Sequence, residues 1–206
     1  MAYSDFNLSE LEEVFPISII EEQEAFRDIK SIDSSDFLKE NLKRHLSLAL
    51  AINTEKARSE FIIAPILSEI KYLLEDQVSL FSGVEFDVDK TQGLNGFCDY
   101  ILCQDKEQLY IKAPVTVIIE AKKENLNAAI PQCIAAMLGA QQFNLHKNQQ
   151  IRQIFGVVTL GNLWKFLRLE NQTVIVDLQE YYVIPVEQIL GILVYMLTAN
   201  LELAAV

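Results

Sequence analysis

One stretch constrains this chain more than any other. Val115 to Ala121 reads Val-Thr-Val-Ile-Ile-Glu-Ala, follows Pro114, and runs on into Lys122-Lys123-Glu124. Five apolar or β-branched residues in a row, bounded by a proline, predict a buried strand. A core strand should not end in Glu120 and Lys122, yet period two puts both side chains on one face. Either they form an ion pair that solvates a strand end, or they belong to a site.

The segments on either side predict what packs around that strand. Asn7 to Val14 has the length of a short helix, and Ile17 to Ile20 is extended after Pro16. Asp33-Ser34-Ser35-Asp36 offers N-caps for a helix from Phe37, with Leu38, Leu42, Leu46 and Ala49 on one face. Asn53-Thr54 ends it and caps a second helix, Glu55 to Glu75, where Pro65 predicts a kink or a restart. Leu80 to Asp89 alternates as a half-exposed strand, and Phe97 to Cys103 is apolar except for Asp99. After the central strand, Leu126 to Phe143 reads as a helix rich in Ala and Gly, with Pro131 in its first turn. Phe155–Leu160, a Gly161-Asn162 turn, Leu163–Leu169 and Thr173–Asp177 form further strands. A last helix from Pro185 to about Glu202 is apolar on most sides, so it is buried or forms an interface. The expectation is an α/β fold: a central mixed β-sheet flanked by helices, with an α-β-β-β-α-β core. Residues 1–206 form one domain, with an N-terminal helical extension (1–53), a core (55–170) and a C-terminal strand and helix (171–206).

Charge limits the partners. The net charge is −12, which argues against a free-standing, high-affinity nucleic-acid binder. The excess is uneven: residues 1–90 hold 19 acidic and 9 basic residues, whereas residues 91–206 hold 10 and 8. The second part is nearly neutral, and one divalent cation would cancel its remaining charge. Three cysteines make no disulfide scaffold. Cys98 and Cys103 are an odd number of residues apart, so a regular strand would point them to opposite faces. With only His45 and His146 besides, a zinc site is not expected, and the cysteines read as small buried hydrophobes in a reducing cytoplasm. The acidic N-terminus carries no signal-peptide pattern. Ile189 to Ala199, flanked by Glu187 and Glu202, is too short to span a bilayer. A soluble, cytoplasmic protein without membrane association is expected.

Asp99 is the second anomaly, since burying a lone aspartate is costly unless it is paired or bound to metal; taken alone, it reads first as a strand-end Asp accepting backbone hydrogen bonds. If strands 97–103 and 115–121 are neighbours, Asp99 and Glu120 converge at one sheet end. Two carboxylates there, with the Ala121 carbonyl, make a hard-oxygen site for Mg²⁺, with Mn²⁺ able to substitute. Lys122 would stand beside an attacking water, to orient or deprotonate it. Those are parts for phosphodiester hydrolysis. Gly96-Phe-Cys-Asp99, then Glu120-Ala-Lys122, then Gln132, over roughly residues 55–170, resembles the PD-(D/E)xK nuclease superfamily of restriction-endonuclease-like fold. The hairpin from Gly156 to Leu169 is similar to the strand pair that follows the second helix in such proteins. The resemblance implies that Asp99 and Glu120 hold the metal, that Lys122 assists the water, that Gln132 supports the site, and that Glu60, on the preceding helix, joins as a ligand. The chain departs from the pattern in having no proline before Asp99 and no basic cluster. Trp164, Lys165 and Arg168 are candidates for contact with nucleic acid, DNA before RNA, although Trp164 also suits a core position. A partner subunit or a homodimer groove supplying basic surface, or a special end structure of the nucleic acid, would provide the missing affinity. The alternative is a catalytically silent interaction module, such as a homodimer through the 185–202 helix, or a homodimeric subunit of a larger complex.

Overall fold

A computed structural model describes residues 1–22, 24–75 and 77–204; the last two residues of the expected C-terminal segment lie outside them. The fold is α/β, a mixed eight-stranded sheet with helices on both faces. The strands are β1 (Ser18–Glu22), β2 (Ser79–Glu85), β3 (Phe97–Cys103), β4 (Val115–Ala121), β5 (Gln153–Thr159), β6 (Leu163–Glu170), β7 (Thr173–Asp177) and β8 (Tyr181–Tyr182). Their order is β1-β7-β6-β5-β4-β3-β2, with β8 also on β6. Only β1–β7 and β4–β5 are parallel. The predicted central strand is β4, between β3 and β5, and all seven of its residues are buried.

Local chemistry sets the helices. Helix α1 (Leu8–Val14) starts at a capping box: Asn7 accepts from Glu10 N–H, and the Glu10 carboxylate accepts from Asn7 N–H, both at 3.0 Å. Helix α2 (Asp36–Ile52) is capped by Ser35, whose Oγ accepts from Leu38 N–H at 3.1 Å. It ends at Asn53, which takes the left-handed conformation with φ 54°. Thr54 then caps α3 (Glu55–Arg58). The expected break at Pro65 takes another form. Ser59–Ile63 is a π turn, and Ala64 N–H bonds back to Ser59 O five residues earlier before α4 (Ala64–Leu73) resumes. Proline has no N–H, and widening one turn accommodates that loss without ending the helix.

Helices α2, α4 and α6 (Glu187–Ala204) cover one face of the sheet, and α1 and α5 (Ile130–His146) cover the other. Small residues bring α5 close: a Cβ on Gly156 of β5 would lie 2.5 Å from Met137 Sδ and 2.8 Å from Cys133 Sγ. Helix α6 buries Ile189, Leu190, Ile192, Leu193, Met196 and Leu197 inside its own chain. Of the two alternatives expected for it, buried or forming an interface, most of its apolar length takes the first. No helix among the described residues is long and apolar enough to cross a membrane.

Three side-chain amides act as surrogate peptides where strands begin. Asn144 of α5 accepts from Val115 N–H and donates to Val115 O, both at 2.8 Å. Asn200 of α6 does the same for Gln153, at 3.0 and 2.9 Å, and Gln108 for Leu80, at 3.2 and 2.6 Å. Each pair satisfies backbone groups that the ladder leaves open.

Three further expectations are corrected. The segment taken as a helical extension also supplies an edge strand, since β1 pairs in parallel with β7. The regular strand ends at Glu85 rather than Asp89, although the alternation runs on through buried Phe86 and half-buried Val88, before Asp89 Oδ1 gathers Thr91 N–H and Oγ1 into a turn. Cys98 and Cys103 are buried in the same α5-side cluster rather than on opposite faces. The cause is a break in alternation beside Asp99: Tyr100 packs on the far face, yet Cys98, two residues away, packs on the near one. Across from the break, Gly83 takes φ 61° between the pairs Ser82–Tyr100 and Val84–Cys98.

Candidate active site

The antiparallel ladder between β3 and β4 reaches Tyr100–Ile119 and stops. Continuing that register sets Asp99 against Glu120. Below this point β3 keeps only β2, so the β3 and β4 backbones fork. Asp99 fills the fork, its Oδ2 accepting from Ala121 N–H at 2.7 Å in place of a backbone carbonyl. The alternation break beside Asp99 is what turns it into this position. A β-sheet rarely forms such an arrangement without a polar side chain to take the freed N–H.

Glu120 is completely buried against α5. Gln132, in the first turn of that helix, donates Nε2–H to Glu120 Oε2 at 2.7 Å. The other oxygen, Oε1, is buried and has no protein partner among the described residues. Burial pushes the Glu120 carboxyl well above the ordinary carboxylate range. The Asp99 carboxylate pushes the same way by its charge, while the Lys122 ammonium pulls it back. Lys122 follows the last residue of β4, and its N–H bonds to Thr159 O at 2.9 Å, so β5 holds the residue in line beyond the strand. Its side chain makes no hydrogen bond or ion pair with another described residue. Lys123 pairs with Glu124 at 3.0 Å at the surface.

Beside the fork lies a cavity of about 300 Å³, lined by Glu55, Lys56, Ser59, Glu60, Ala64, Ser82, Asp99, Tyr100 and Ala121. The π turn contributes Ser59 and Glu60. Tyr100 Oη hydrogen-bonds Ser59 Oγ, and burial raises the phenol's pKa. Sequence reasoning passed over Ser59, Ser82 and Tyr100. Tyr100 had a signal, since a tyrosine in a buried strand needs a partner for its hydroxyl; Ser59 and Ser82 had none.

The structure thus brings Asp99, Glu120, Ala121, Lys122 and Gln132 together at the fork, and sets Glu60 on the cavity wall that Asp99 and Ala121 share. The Glu60 side chain is mostly exposed and pairs with Lys56 at 3.7 Å. Among the described residues no three His, Cys, Asp or Glu side chains are grouped to hold a metal ion. The nucleic-acid contacts expected of the hairpin are corrected as well. Trp164 is fully buried, its Nε1–H donating to Gly161 O at 2.7 Å. Lys165 is buried and lies 3.9 Å from Glu180. Arg168 is largely covered and faces Glu170 at 4.0 Å. Trp164 and Lys165 therefore present no surface, and Arg168 presents only the remaining fifth of its side chain.

The donor set fits Mg²⁺ or Mn²⁺. Such ions take one or two protein carboxylates and keep several waters, and the buried, partnerless Oε1 of Glu120 is an acceptor that the protein itself leaves unsatisfied. No protein-family model matches the chain, and no curated protein matches it in sequence.

Proposed function

We propose that this protein is a metal-dependent nuclease of PD-(D/E)xK type, with a restriction-endonuclease-like core, hydrolysing phosphodiester bonds of nucleic acid, with DNA as the expected substrate. One observation carries the reading: a fully buried glutamate, one oxygen held by Gln132 and the other free, faces a second carboxylate at the fork of two strands. Nothing in the packing of an α/β core requires that pair, and it costs stability unless a ligand repays it.

Asp99 and Glu120 are the residues that would hold the metal, with the Ala121 carbonyl as a further donor; when bound, the ion supplies Lewis-acid stabilisation of charge building on the phosphate. Gln132 fixes the plane of the Glu120 carboxylate, so the free oxygen keeps one direction. Asp99 is fixed by Ala121 N–H and cannot swing away without breaking the fork. Lys122 Nζ orients the attacking water and, in its uncharged amine form, takes the water's proton. Ser59 and Tyr100 line the cavity beside these groups and offer hydroxyls to the substrate.

The test is incubation with single- and double-stranded DNA and RNA in Mg²⁺ or Mn²⁺, beside Lys122→Ala and Asp99→Ala. The wild type is expected to cleave at least one of the four, with a loss of at least about 10²-fold in each variant. Cleavage that survives both substitutions, or no metal binding by calorimetry, sinks the proposal and favours a silent scaffold.

A further inference from the structure

Away from the carboxylate fork, a second cavity of about 410 Å³ opens between α2 and the segment that leads into α6. Leu42 and Leu46 of α2 line it on one side, and Ile184, Pro185 and Val186 on the other. Ile184 is 59% exposed, a large aliphatic side chain left in water at this rim. The volume lies in the range of pockets for small organic ligands, which pair an apolar lining with a few placed polar groups.

The charged groups here are two ammonium groups and one carboxylate. Lys39 and Lys43, one helical turn apart, stand on the α2 side. Neither side chain makes a hydrogen bond or ion pair with another described residue. Arg44, next in sequence, is already engaged by Glu40 at 2.7 Å. The carboxylate lining the cavity, Glu187, is occupied too, accepting from Ser34 Oγ at 2.8 Å. Ser47 adds a hydroxyl. In a chain of net charge −12, two lysines without an ion-pair partner among the described residues, against one carboxylate already bonded to Ser34, give this apolar cavity a net positive rim.

We infer that this cavity binds a small amphipathic anion, an apolar chain ending in a carboxylate: the chain lies against Leu42, Leu46, Ile184 and Val186, and the carboxylate meets Lys39 and Lys43. Both lysines are exposed, so they contribute selection of charge more than raw affinity, and binding weakens as salt screens them. The inference does not depend on the nuclease reading, since none of these residues belongs to the carboxylate fork.

Decanoate, decanol and acetate, titrated into the full chain by calorimetry, test it. Decanoate is expected to bind saturably at one site. Decanol should bind at least tenfold more weakly, and acetate not at all. The double variant Lys39→Gln/Lys43→Gln, which changes only exposed side chains, should weaken decanoate at least tenfold and leave decanol unchanged. Leu46→Trp, checked for folding by circular dichroism, should fill the floor and abolish both. Equal affinity for decanoate and decanol, decanoate binding unmoved by the lysine substitutions, or no saturable heat would each overturn the inference.

Discussion

Replacing Glu120 by glutamine should make the metal-free protein more stable at neutral and alkaline pH. In the wild type, the folded state holds this carboxyl above its ordinary range, chiefly through burial and then through Asp99. The sign follows from proton linkage. Between the unfolded value and the raised folded value, the folded state binds more protons than the unfolded one, so stability falls as pH rises through that window. Below the ordinary carboxyl range both states carry the proton, and the penalty is absent. Asp99 on β3, Lys122 beyond β4, Glu55 on α3, and Tyr3, Cys98 and Cys133 are the titratable groups that sense Glu120 or are sensed by it. Glutamine keeps an oxygen for Gln132 Nε2–H and offers Asp99 an N–H in place of a repelling oxygen. The buried partnerless oxygen sets the scale, since such a group costs about 1–3 kcal/mol. For a chain of this length that is a rise in Tm of roughly 2–12 °C. Thermal unfolding of both proteins at pH 8 and pH 4, in EDTA, reads the effect. The gain should appear at pH 8 and shrink at pH 4. Millimolar Mg²⁺ should then raise the Tm of the wild type and leave the variant unmoved, by mass action on a site that only the wild type possesses. A variant no more stable than wild type at pH 8, or a gain of equal size at both pH values, would refute the reasoning.

Two further outcomes follow from the packing. Asn144→Ala strips the buried Val115 N–H and C=O of their partners; at about 1–3 kcal/mol each, the loss should be roughly 2–6 kcal/mol, read as a lower denaturant midpoint at unchanged m-value. Gly191→Ala would place a Cβ 2.1 Å from Lys30 O, a backbone atom that cannot turn aside. It should cost about 1–3 kcal/mol and increase hydrogen exchange at Ile32, whose N–H bonds Glu187 O.

Much of this was legible in the sequence. Periodicity and caps found α1, α2, α5, α6 and the strands β3 and β4, because each is locally consistent: Ser35, Asn53 and Pro131 mark ends where the chemistry requires them. The carboxylate pair was legible for the opposite reason, since Asp99 and Glu120 conflict with the strands that hold them. What stayed hidden depends on breaks in period. The face of Cys98 could not be read, because the alternation fails beside Asp99 and only the facing Gly83 hints at it. Pro65 announced a disturbance but not its form, since a π turn and a kink start from the same missing N–H. The core position that suits Trp164 is the one it takes, whereas the burial of Lys165 depends on β8 pairing alongside it, a contact that spacing along the hairpin does not show. Glu60 borders the apolar face as expected, but whether a border residue reaches a site depends on angles that spacing does not specify.

The amide clamps have a consequence for how the protein ages. Asn144 works only because its two ends differ, oxygen toward Val115 N–H and nitrogen toward Val115 O. Heat converts such carboxamides slowly to carboxylates. At this position the change would set a negative oxygen against a carbonyl at the start of the strand that carries Glu120 at its other end. A sample's thermal history would therefore be written into the central strand by a change of one atomic mass unit, and prolonged warming would erode the site from a residue that never touches it.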